Sequence, residues 1–190
     1  MSIAIVSDLH GNSLVLKKLI KDVFPETNEI WWIGDLFYNY KKDDASIAEA
    51  KDVLMTLSNY KEKPCFHVMG NTDSMDGYHS FSDRFESTPV CTKMVGEDTF
   101  ILTHGHLHET RKALTDLAKE HHASVVITGH THIAGLVVEN DLIFVNPGSP
   151  TVPRDTQATP TYILFFPEEK KFQIKYLPTG ETIQELYYNS

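Results

Sequence analysis

Seven side chains able to bind a metal ion recur in short clusters along the chain: Asp8 with His10, then Asp35, Asn71, His104, and His130 with His132. Carboxylates and imidazoles with one amide carbonyl suit Mn, Fe or Zn better than an all-oxygen Mg or Ca cage, and no cysteine competes for a soft metal. Seven ligands exceed what one ion with an open position takes. They suit two ions with one carboxylate between them. Ions about 3.5–4 Å apart can clamp the attacking and leaving oxygens of an in-line displacement and lower the pKa of a bound water to about 7.

Each cluster follows an apolar run. Ile3 to Ser7 reads as a buried strand and ends at Asp8. Glu29 to Ile33 precedes Gly34 and Asp35, and Pro64 to Val68 precedes Gly70 and Asn71. Phe100 to Thr103 ends at His104, and Ser124 to Thr128 leads through Gly129 to His130. Amphipathic helices are expected over Asn12 to Phe24, Asp44 to Ser58 and Glu109 to His121. Strands alternating with helices imply an α/β layer structure with a partly parallel sheet, and the carboxyl ends of such strands share the edge where ligands bind. The clusters therefore converge in space. Gly34, Gly70 and Gly129 let the backbone turn sharply beside them. After Gly129 the pattern turns β-rich, with strand-like runs at Leu136 to Val138, Leu142 to Val145, Thr161 to Phe166 and Lys171 to Leu177 separated by turn signals. One domain over 1–190 is expected. Ser74 to Glu86 reads as loop mixed with short helix.

The bulk composition, 41% hydrophobic and 23% charged, is that of a soluble globular chain. Net charge is -9 with Lys and Arg dispersed, which disfavours a duplex nucleic-acid binder. Cys65 and Cys91 are too few for a disulfide framework, and the amino-terminal apolar stretch is too short for a signal peptide or membrane span. A cytoplasmic protein without membrane contact is expected.

Taken singly, each cluster has a plain structural reading as a turn or helix cap. Their order is more specific. Asp8 to His10 (DLH), Gly34-Asp35, Gly70 to Asp73 (GNTD), His104 to His106 (HGH) and Gly129 to His132 (GHTH) resemble the motifs of the calcineurin-like metallophosphoesterases. The short chain, LTHGH, GHTH and NPGS (Asn146 to Ser149) are most similar to the small bacterial and archaeal phosphodiesterase branch, the YfcE family. The resemblance spans residues 3 to about 154. It implies a two-sheet sandwich flanked by helices, four layers αββα, with mixed parallel and antiparallel strands. It also implies that Asp8, His10, Asp35 and His132 hold one divalent ion, and that Asp35 bridges to a second completed by Asn71, His104 and His130. A metal-bridging hydroxide then attacks a small phosphorylated substrate, a phosphodiester by preference. Manganese is the first expectation, with Fe, Zn, Ni or Mg as alternatives, and a homo-oligomer stays open.

One position departs from the family. Many relatives carry histidine, and the small branch often cysteine, where this chain has Thr72; a hydroxyl has no suitable pKa for general acid work. Asp73 is expected to support a metal-binding imidazole. His106 is close enough in sequence to touch substrate or a metal-bound water, or to stand behind the ligands, and Arg154 reads either as a phosphate-binding residue or as a solvated surface arginine. His67, His79, His108, His121 and His122 read as packing or surface residues, Trp31 and Trp32 as core. Tyr38, Tyr40 and the Lys41 to Asp44 run read as a solvated loop at the mouth of the site. The rivals are a protein-binding scaffold of the same fold, as the resemblance to a component of eukaryotic sorting complexes allows, and a nuclease.

Overall fold

The computed structural model describes residues 1–37, 44–60, 62–73 and 88–189. The expectations for Ser74 to Glu86, His79, Tyr38, Tyr40 and Lys41 to Asp43 lie outside the described residues; Asp44 opens a helix.

Two sheets form, as the resemblance implies, where the strand pattern by itself suggested one shared edge. In the first, β1 (Ile3–Val6), β2 (Glu29–Ile33) and β3 (Cys65–Val68) run parallel, and β9 (Thr161–Phe166), β10 (Lys171–Tyr176) and β11 (Thr182–Tyr187) extend it antiparallel beyond β1. In the second, β5 (Asp98–Thr103), β6 (Val125–Ile127) and β8 (Leu142–Asn146) are parallel, edged by antiparallel β4 (Val90–Val95) and β7 (Gly135–Glu139). The β7–β8 turn has Asn140 and Asp141 at φ 51° and 62°, the mirror-image turn that a two-residue hairpin favours.

Strand alternation builds the layers. Ile3, Ile5, Trp31 and Ile33 point between the sheets and meet Phe100, Leu102, Val125 and Ile127 of the second sheet. Their neighbours Ala4, Val6, Ile30 and Trp32 point the other way, under α1 (Ser13–Asp22) and α2 (Asp44–Asn59), which contribute Leu16, Leu19, Val53 and Leu57. On the far side, Leu117 and Ala118 of α3 (Arg111–Glu120) cover Ile101, Val126 and Phe144. The four layers expected from the resemblance are thus present among the described residues. Trp31 and Trp32, at 0% and 1% exposure, serve opposite faces of one strand as core residues, each such large apolar side chain stabilising by about 1.5–3 kcal/mol.

The register positions the site. Val6 stands opposite Trp32, Ile33 opposite Val68 and Leu102 opposite Ile127, so the carboxyl ends of each parallel set are level. Asn12 caps α1 through a 3.0 Å bond from the Val15 N–H, which leaves the Asp8 to Gly11 turn free of capping duty. No helix of the described residues is long and apolar enough to cross a membrane.

Candidate metal centre

The loops leaving these strands are tied to one another before any side chain is considered. The Asp8 N–H donates to Gly34 O at 3.0 Å, His10 N–H to Asp35 O at 2.9 Å, and Gly129 N–H to His104 O at 3.0 Å. Asp8, His10, Asp35, His130 and His132 all have left-handed backbone, with φ between 49° and 65°. Non-glycine residues held there cost about 1–3 kcal/mol each and persist where the surroundings over-determine them, a concentration of strain found at functional sites.

Two imidazoles are locked by main-chain carbonyls. His104 Nδ1 lies 2.7 Å from Ile33 O, and His132 Nδ1 lies 2.6 Å from Val152 O. A carbonyl only accepts, so both rings carry their proton on Nδ1 and aim a lone pair from Nε2 inward. Those lone pairs meet carboxylates: His132 Nε2 is 3.1 Å from Asp8 Oδ1, and His104 Nε2 is 3.3 Å from Asp35 Oδ2. Apart from these facing groups, the buried Asp8 Oδ1 and His104 Nε2 have no hydrogen-bond partner. Acceptors converging this way repel unless a cation or an added proton stands between them, so the donor set fits divalent ions. Ligand atoms of Asp8, His10 and His132 lie within 4.8 Å of one another, as do those of Asp8, Asp35 and His104. His10 Nε2 is 3.8 Å from Asp8 and 3.9 Å from Asp35, so both carboxylates stand between the two sets of imidazoles.

The electrostatics carry the same signature. Burial alone raises the Asp35 carboxyl pKa, but the hydrogen bond and charge of His104 and the Thr72 N–H outweigh it and bring it down to about 2. Burial lowers the His104 pKa, yet the Asp35 hydrogen bond and the Asp35 and Asp8 carboxylates outweigh burial and raise it. Burial likewise lowers His10, and there the two carboxylates do not overcome it.

Contacts to main-chain groups also join the sheets at the site. His104, from the second sheet, reaches Ile33 of the first, and the His130 N–H donates to Asp8 Oδ2 at 3.0 Å. Asp73, expected to support a metal-binding imidazole, stands 4.0 Å from His67 Nε2, and its buried carboxylate accepts from the main-chain N–H of Asp35 at 2.8 Å, Gly70 at 2.9 Å and Phe37 at 3.0 Å. It clamps the Asp35 loop onto the Asn71 loop. The two loops are so close that a Cβ at Gly70 would lie 2.1 Å from Asp35 Oδ1, and one at Gly34, itself at φ 86°, would lie 2.5 Å from His104 Nδ1. Ser149, one member of NPGS, donates to Asp8 O at 2.8 Å and accepts the Thr151 and Val152 N–H groups, while Asn146 donates to Gly129 O at 2.8 Å. Neither role follows from residue type alone; the NPGS motif is the signal that marks them.

The model of the calcineurin-like phosphoesterase superfamily domain matches residues 1–170. The chain belongs to that superfamily. A probable metallophosphoesterase of Bacillus subtilis, YsnB, is 28% identical over 190 residues, covering 98% of this chain and 96% of its own. The structure of YfcE, a phosphoesterase from E. coli, aligns over the full length of both chains with a TM-score of 0.81 at 22% identity, so it shares the fold, in line with the YfcE-type branch expected from the motifs. Vps29 of Entamoeba histolytica, solved with zinc, aligns over both full lengths with a TM-score of 0.68 at 20% identity. Metal-dependent phosphoester chemistry is the class to which this superfamily chain belongs.

His130 packs its ring 5.3 Å from that of His104. Asn71 is exposed, in the turn whose flanking residues Gly70 and Thr72 bond Asp73 and Asp35 through their N–H groups. The Thr72 hydroxyl donates to Phe37 O at 3.1 Å. His106 is half-buried, its ring 5.5 Å from His104 and 6.3 Å from His130. Arg154 is exposed, and its N–H donates to His132 O at 3.1 Å. His67 is buried packing, while His121 and His122 are exposed.

Proposed function

We propose that this chain is a one-domain cytoplasmic phosphodiesterase that uses two divalent ions, manganese first, to hydrolyse small phosphodiesters. The observation that carries the reading is the pair of Nδ1-locked imidazoles whose Nε2 lone pairs converge on two buried carboxylates. In this reading Asp8, His10 and His132 hold one ion, Asn71, His104 and His130 the other, and Asp35 is shared. When bound, the ions supply Lewis acidity and a water acidic enough to lose its proton near neutral pH.

The chain's own residues do the rest. Main-chain carbonyls orient the imidazoles, and Asp73 fixes the loop that carries the shared carboxylate. The partly exposed His106 would present an N–H group to a phosphoryl oxygen, stabilising charge as the displacement proceeds. Thr72 donates its hydroxyl proton to a carbonyl and offers the leaving group no acid, which favours esters whose leaving group departs unprotonated.

The test is hydrolysis of generic phosphomonoesters and diesters by metal-stripped protein reloaded with Mn, Fe, Zn, Ni or Mg. Diester turnover with at least one metal supports the reading. A folded protein inactive with every metal would favour the scaffold alternative, consistent with the likeness to Vps29. Preference for polynucleotide over small diesters would favour a nuclease, against a net charge of -9.

A further inference from the structure

Beside the metal centre, on the outer face of the second sheet, lies a cleft of about 460 Å³. That volume is in the range of small-ligand sites. Its floor is apolar, formed by Phe144, Leu114 and Val137, with Val137 42% exposed. Arg111 lies over the Phe144 ring, its guanidinium carbon 3.9 Å from the ring centre, and its Nε is 3.5 Å from Glu139. A guanidinium spread on an aromatic face presents its own upper face as a second flat platform.

The cleft adjoins the metal centre through the GHTH loop. Thr131, next to His130, lines it, and so does Asn146, whose amide donates to Gly129 O at 2.8 Å and Thr131 Oγ1 at 3.1 Å. Glu109 lines the same wall. A phosphodiester at the metal centre has two substituents. One departs; the other must lie somewhere, and this is a neighbouring cleft with an apolar floor and a planar stacking surface.

We infer that the cleft walled by Arg111, Leu114, Val137 and Phe144 receives the non-leaving substituent of the substrate, and that this substituent is a flat aromatic or heteroaromatic group. The inference rests on the phosphodiesterase reading and deepens it. Binding there acts at a distance from the reacting phosphorus, so it contributes through kcat/KM for large substrates and nothing for small ones.

The test compares two diesters with one leaving group, phenyl 4-nitrophenyl phosphate and methyl 4-nitrophenyl phosphate, in the wild type and in Val137→Asp and Arg111→Ala. Each variant should lower kcat/KM for the phenyl diester by about tenfold, the scale of one displaced apolar contact, and leave the methyl diester unchanged. In parallel, phenyl phosphate titrated into methyl-labelled protein should shift the Leu114 and Val137 methyl resonances, whereas methyl phosphate should not. Equal effects on both diesters, or no effect, together with unmoved methyl resonances, would overturn the inference. If neither diester is hydrolysed, the phosphodiesterase reading fails by itself, and the methyl resonances alone decide whether the cleft takes an aryl group.

Discussion

His104 Nε2 faces Asp35 Oδ2 at 3.3 Å while its Nδ1 proton is held by the Ile33 carbonyl at 2.7 Å. Without a metal, the Asp35 and Asp8 carboxylates keep His104 protonated to higher pH than a free imidazole. A metal ion must displace that proton, because the ligand is the neutral ring. Metal affinity should therefore rise with pH until His104 has lost its proton and then level off, by up to about tenfold per pH unit for each proton released. Calorimetric titration of Mn between pH 6 and pH 9 checks this, and an affinity independent of pH would contradict it.

Asp73→Asn keeps the size of the buried side chain but turns one acceptor oxygen into a donor facing backbone N–H groups. With three such contacts at stake, the loss should be about 1–3 kcal/mol. Because the clamp holds the Asp35 loop, bound metal per chain should fall as well. Thermal unfolding and metal analysis of the same sample give both readouts; a variant that unfolds earlier yet binds metal as tightly as wild type would show that the clamp serves stability alone.

Gly70→Ala places a methyl group where Asp35 Oδ1 and Asp35 N already stand, at 2.1 and 2.2 Å. Forcing the loops apart should cost about 1–3 kcal/mol or more and weaken metal binding. Gly135→Ala, where a Cβ meets nothing within 4 Å, is the control expected to leave metal binding intact. Equal metal affinity in the two variants would refute the role of the close approach.

Thr72 predicts a steep dependence of kcat/KM on leaving-group pKa, since its hydroxyl is committed to Phe37 O at 3.1 Å. A series of aryl methyl phosphates with leaving groups of graded acidity measures the slope. A flat series under rate-limiting chemistry would mean that another group protonates the leaving oxygen.

Much of this centre was legible because each candidate ligand follows an apolar run and several follow a glycine, a pattern that survives without coordinates. The division into two sheets was carried by the motif resemblance and not by the strand pattern itself. It rests on Phe100 of the second sheet meeting Trp31 and Phe165 of the first, with ring centres 6.0 and 5.4 Å apart, contacts between residues distant in sequence. The strands β4 and β11 escaped notice for a different reason: both are sheet edges with largely exposed or half-exposed side chains, so neither shows the buried run that marked β1 or β2. The backbone role of Asp73 was hidden because a carboxylate near imidazoles reads naturally as their partner. The left-handed conformations of Asp8, His10, Asp35, His130 and His132 leave no trace in residue type beyond the tolerance of Asp and His for that region.

The central claim, two cations gripped where the loops of both sheets meet, is tested most directly by anomalous diffraction from crystals grown with manganese. Two peaks about 3.5–4 Å apart are predicted, with the Asp35 carboxylate touching both, His132 on one and His104 on the other. A single peak, or none within reach of Asp35 at saturating manganese, would contradict the account.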